Sequence, residues 1–122
     1  MAPRDRTDRE NQALDFGLTT QAHYEDVLAQ AAETRVAKVR AYGEDRYYND
    51  DAESSAWLSY SDVYRKTIRL RQQTRELARA IRDGDPSYDH LAEELRETYM
   101  DLLNYAAQGA QDMDRIIGGE AS

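Results

Sequence analysis

Asp83-Gly84-Asp85-Pro86-Ser87 is the stretch that decides the fold. Gly84 suits the position just past a helix end, Pro86 cannot continue a helix, and Ser87 is a ready N-cap for the next one. Before this turn, Tyr60, Val63, Thr67, Leu70, Thr74, Leu77 and Ile81 alternate spacings of three and four. After it, Leu91, Leu95, Thr98, Leu102, Tyr105, Met113 and Ile116 share one stripe of a helical projection. The punctuation therefore predicts an antiparallel helical hairpin. Its first arm spans Tyr60 to Arg82, opened by the capping box Ser59-Tyr60-Ser61-Asp62. Its second arm spans Tyr88 to Ile117 and stops at Gly118-Gly119.

Working outward, Tyr24, Val27, Leu28, Ala31, Arg35, Val39 and Tyr42 recur at helical spacing and predict a helix from Thr19 to Tyr42, with Gly43 as a left-handed residue beyond its end. Residues 1–17 are polar and mixed in charge, which predicts a mobile arm whose Leu14 and Phe16 dock onto a neighbour. The stretch from Gly43 to Ala56 lacks either apolar period and reads as a loop, with Trp57 in the loop before the second helix. No run alternates as a strand would. The fold class is all-α: one domain over 18–118, a bundle of three main helices, and a polar tail at 119–122.

The chain has 122 residues, no cysteine, a formal charge of -8 and one-third charged residues, with a mean hydropathy of -0.92. So polar a three-helix chain has a thin core, which predicts completion by a second copy in a homodimer or homotetramer. The absence of cysteine removes thiolate chemistry and fits a reducing cytoplasm. The start has no apolar segment of the signal-peptide kind, and no run approaches a membrane span. A pI near 4.7 argues against nucleic acid as a partner. Small anionic substrates stay open, because metal ions can bridge carboxylates to phosphates.

The candidate site lies on the third helix. Glu94, Glu97, Asp101, Asn104 and Gln108 fall within an arc of about 80°, beside the apolar stripe. Stacked like charges at the edge of a buried face call for compensation, and Mg²⁺ or Mn²⁺ is one way to supply it. The alternative is a solvated acidic face. On the second helix, Lys66 and Arg69 stand one turn apart, with Arg65 and Arg71 beside them. They suit phosphate contacts, as a point charge and a planar fork, or they pair with the acidic third helix. Lys38 is a third basic candidate. Trp57, among nine tyrosines and one phenylalanine, is the preferred platform for a base, and Tyr105 belongs to the same aromatic set. No glycine-rich phosphate loop occurs.

These residues carry a resemblance. Lys38-x-x-x-Tyr42-Gly43, Trp57, Asp62-Val63-Tyr64-Arg65-Lys66-Thr67-Ile68-Arg69-Leu70 and Glu94-x-x-Glu97-Thr98-x-x-Asp101-Leu102-Leu103-Asn104-Tyr105-Ala106, in this order, resemble the phage nucleotide-modification-associated domain. That domain is itself similar to the MazG-like all-α nucleoside triphosphate pyrophosphohydrolases, including those of phages that replace adenine with 2-aminoadenine. The match covers about residues 20 to 110. The MazG pattern is EExxE on one helix and ExxD on the next. Glu93-Glu94-Leu95-Arg96-Glu97 reproduces the first half, and its nearest following echo of the second is Gln111-Asp112-Met113-Asp114. A second alignment, preferred because the run from Asp101 to Tyr105 continues as the family's later helix does, places Glu94, Glu97 and Asp101 at ExxD. It leaves Asp62 as the only acidic candidate on the second helix.

The resemblance implies hydrolysis of a nucleoside triphosphate, with dGTP or dATP as the expected substrate, to the monophosphate and pyrophosphate in the cytoplasm of an infected host. It implies Glu94, Glu97 and Asp101 as catalytic carboxylates which, with Asp62, hold Mg²⁺ or Mn²⁺. Lys66 and Arg69 would meet the phosphates, with Lys38 as a third contact, and Asn104 would orient a ligand or read the sugar. Two other classes stand beside this one: a protein that binds and sequesters nucleotide without turnover, and a structural helical subunit whose charged faces pair with a partner.

Overall fold

The computed structural model describes residues 5–43 and 51–119, and these form three helices with no strand. They are α1 (Asp8–Tyr42), α2 (Ala52–Asp83) and α3 (Tyr88–Ile117). No helix among the described residues is long and apolar enough to cross a membrane. The bundle is all-α, and α2 and α3 form its antiparallel hairpin. The rest of the expected loop, 44–50, and most of the expected tail lie outside the described residues.

The hairpin turn is built as its punctuation predicts, with one exchange of roles. Gly84 takes φ 66° and ψ 27°, its N–H donates to the Ile81 carbonyl, and the Asp85 N–H donates to Ala80. These two bonds satisfy the carbonyls that a helix end leaves orphaned. Ser87 stands at the start of α3, but its hydroxyl caps nothing. The Asp85 carboxylate instead accepts the Ser87 N–H at 2.9 Å, which holds the Asp85 carboxyl below its ordinary pKa.

Two helices begin earlier than their apolar periods suggest. α1 starts at Asp8, because the Thr7 hydroxyl accepts the Glu10 N–H at 3.1 Å, so 8–17 is helical. α2 starts at Ala52, because Asp51 Oδ1 accepts the Ser54 N–H at 2.7 Å. Ser59 is therefore no cap: it is a buried residue in the second turn of the helix. Trp57 sits on α2 and not in a loop. Gly43 has φ 74° but ψ -178°, a region open to glycine beyond the left-handed helical one.

The seam between α2 and α3 is largely polar. Buried Ser55, Ser59 and Asp62 on α2 face a side of α3 that buries Leu95, Thr98, Gln108 and Asp112. Ser59 Oγ donates to Asp112 Oδ2 at 2.6 Å, and Thr98 Oγ1 donates to Gln73 Oε1 at 2.5 Å. These rungs fix one register, since a slide by one residue would leave buried polar groups without partners. Among the described residues, only Ala31, Ala80 and Leu95 are buried apolar residues. α1 touches α3 through a short stretch: Ala31 O accepts from Asn104 Nδ2 at 3.0 Å, and Gln30 Oε1 accepts from Arg96 at 2.7 Å.

Candidate functional site

The three helices meet at Asp101. Its Oδ1 receives the Lys38 ammonium of α1 at 3.1 Å, and its Oδ2 receives the Lys66 ammonium of α2 at 3.2 Å. Lys66 is the more enclosed lysine, with its side chain 17% exposed against 58% for Lys38. Its Nζ also stands 5.8 Å from the centre of the Tyr105 ring, within cation–π range. Asn104 lies on the next turn of the same helix, holding the Ala31 carbonyl. Helical geometry explains the gathering: Asp101, Asn104 and Tyr105 occupy adjacent positions over one turn of α3, where α1 and α2 both approach.

Partial burial alone would raise the Asp101 pKa. Hydrogen bonds from Lys38 and Lys66, with the charges behind them, outweigh burial and hold the carboxyl below its ordinary value. Two ammoniums on one carboxylate leave a surplus of one positive charge. Such a centre attracts an anion, and phosphate oxygens can compete with the carboxylate for the same N–H donors.

The remaining predicted residues are dispersed. Glu94 Oε1 lies 3.0 Å from His90 Nε2, on an exposed part of α3. Glu97 is exposed one turn before Asp101 and makes no ion pair among the described residues. Asp62 is paired with Arg65 at 3.1 Å, and by the register of the seam it lies about a dozen residues, roughly 18 Å, from the level of Glu97. Among the described residues, no three His, Asp or Glu side chains stand together as a metal site would need. With both Asp101 oxygens on lysines, this carboxylate set does not fit a divalent ion in this arrangement.

Arg69 is exposed one turn beyond Lys66 and makes no ion pair among the described residues. Trp57 is not brought to the centre. It stands on the opposite side of α2 from Lys66, 64% exposed, edge-on to Tyr60 at 6.2 Å.

What the residue pattern does not single out is the lysine–aspartate–lysine pairing across three helices, nor the buried Asp112, which receives Ser59 and stands 3.8 Å from Arg115. Part of the signal for the first was present: Lys66 is the basic residue nearest the hairpin-facing side of α2, and Asp101 belongs to the acidic stripe beside the buried face of α3. No family model, no curated protein and no solved structure matches this chain.

Proposed function

We propose that this chain binds a (deoxy)nucleoside triphosphate at the three-helix junction, with the phosphates on Lys66 and Lys38. The observation that carries this reading is the surplus positive charge at Asp101, held between two lysines inside a chain of net charge -8. Lys66 is preorganised: Asp101 and the Tyr105 ring fix it before a ligand arrives, which lowers the ordering cost of binding. Lys38 is freer and can follow the phosphate. The sequence resemblance to nucleotide-handling MazG-like proteins supplies the identity of the phosphate ligand.

Hydrolysis to the monophosphate and pyrophosphate is the second reading. The observation that favours it is exposed Glu97, without an ion pair among the described residues and one turn from Asp101 on the helix that bears the EExxE pattern. The resemblance implies Mg²⁺ or Mn²⁺ for that reaction. The arrangement at Asp101 would first have to release its lysines, so no catalytic step is assigned to the carboxylates.

One titration separates the readings. Binding of dGTP and dATP is measured by calorimetry in EDTA, and pyrophosphate release from the same nucleotides in Mg²⁺ and in Mn²⁺. Binding in EDTA that Lys66→Met weakens at least tenfold, without pyrophosphate release, is the result expected. Release abolished by Glu97→Gln would establish the second reading. No binding of any nucleotide under either condition would refute both.

A further inference from the structure

The outer face of α2 carries a self-complementary pattern. Trp57, Ser61, Tyr64, Ile68, Arg71, Arg75, Ala78 and Arg82 follow one another at spacings of four and three, the repeat of a coiled-coil seam. Tyr60 and Arg79 flank it. This face points away from α3, because the residues α2 turns inward, such as Ser59, Lys66 and Ala80, lie on its other side. Trp57, Tyr60, Tyr64 and Ile68 are 64%, 57%, 53% and 47% exposed. Tyr60 and Tyr64 stack at 5.8 Å. Arg71, Arg75 and Arg79 are exposed and make no ion pair among the described residues.

We infer that this face is a two-fold interface with a second copy of the chain, α2 packing antiparallel on α2. About an axis between Arg69 and Leu70, antiparallel packing sets Trp57 opposite Arg82 of the other copy, Tyr64 opposite Arg75 and Ile68 opposite Arg71, with Tyr60 and Arg79 along the two edges of the seam. One register satisfies all three pairs. Each guanidinium then lies on an aromatic ring or an apolar side chain, where it stacks and its stem packs. Parallel packing would set arginine on arginine. A two-fold contact must be self-complementary in this way.

The exposed area agrees. The chain exposes 9622 Å², whereas a compact monomer of 14.0 kDa exposes roughly 6,700 Å², so about 2,900 Å² exceeds the single-chain expectation. A standard interface takes about 800 Å² from each partner. This inference rests on α2 alone and not on the nucleotide reading, since Lys66 and Asp101 lie on the other side of the helix.

The chain has no cysteine, so introduced pairs report cleanly. Tyr64→Cys with Arg75→Cys is expected to give a covalent dimer on mild oxidation. Those positions are roughly 16 Å apart on one helix and cannot join within a chain. Tyr64→Cys with Arg82→Cys, on the same face but about two turns out of register, is expected to cross-link at least fivefold more slowly. Light scattering should give a dimer, and Arg75→Glu with Arg79→Glu should raise its dissociation constant at least tenfold, while Phe16→Ser on α1 leaves it unchanged. A chain that stays monomeric at 100 µM would overturn the inference, whether or not it retards a single-stranded oligonucleotide. So would a dimer in which the out-of-register pair cross-links as fast, or one that only Phe16→Ser weakens.

Discussion

Replacing Asp101 by asparagine should move stability and anion affinity in opposite directions. The Lys66–Asp101 pair, 17% and 27% exposed, lies between a surface pair and a buried one, and the Lys38 pair lies nearer the surface limit. Surface pairs contribute ~0.2–1 kcal/mol and breaking buried ones costs ~3–5 kcal/mol, so Asp101→Asn should lose about 2 kcal/mol in all. At roughly 4 °C per kcal/mol for a chain of this length, Tm falls by about 8 °C. The same change removes the carboxylate that competes with phosphate. One charge about 4 Å away in a well-hydrated site contributes about 1 kcal/mol, or roughly fivefold in Kd. Thermal unfolding at fixed chain concentration and calorimetric titration with dGTP in EDTA measure the two effects. Tighter binding with a lower Tm is expected. Lost nucleotide binding in a folded variant would refute the reasoning, because it would make Asp101 a ligand of the complex and not a competitor.

Three further outcomes follow from the geometry. Thr98→Val strands Gln73 Oε1 in the seam and should cost about 1–3 kcal/mol, Gln73→Leu should cost less because the Thr98 hydroxyl keeps the Glu94 carbonyl, and the double variant should recover most of the Thr98→Val loss in urea unfolding. Gly84→Ala and Gly43→Ala each add a Cβ that meets open space, so any cost is one of backbone conformation. Gly84, left-handed, should lose about 1–2 kcal/mol in urea unfolding and be largely rescued by asparagine. Gly43, at ψ -178°, should not be rescued. Because the folded Asp101 pKa is depressed, its contribution is complete above the unfolded value of about 3.9 and is lost as pH falls through the lower folded value. Wild type and Asp101→Asn should therefore converge in stability in that acid range, as read by circular dichroism.

The hairpin was legible because its signals are local: a glycine that must turn, a proline that cannot continue, and a register of apolar residues on α3. The start of α2 was not, and the reason is physical. Apolar periodicity locates a helix by its buried face, but the first turns of α2 bury Ser55, Ser59 and Asp62 and expose Trp57, Tyr60 and Tyr64. Reading the aromatics as the inner face hides both the cap at Asp51 and the side of the helix on which Trp57 stands. α1 was cut short for a related reason. Its first turns bury no apolar residue, with Phe16 and Leu18 largely exposed, and so leave no stripe to read. At the site, the stripe of Glu94, Glu97 and Asp101 was visible in the sequence. That the third carboxylate is neutralised by lysines from two other helices is a tertiary fact, set by how α1 crosses the hairpin.

The narrow attachment of α1 has a consequence for the order in which the chain assembles. α2 and α3 are joined by a four-residue turn and zip from neighbouring residues, so their closure carries little loop entropy and is fast. α1 gains its place only when Ala31, Gln30 and Lys38 reach a hairpin already formed. It is thus the last unit to join and the first to leave, opening at a lower free energy than the hairpin. Lys38, a third of the ion-paired centre, therefore arrives late, and the junction exists only in molecules whose N-terminal helix has docked.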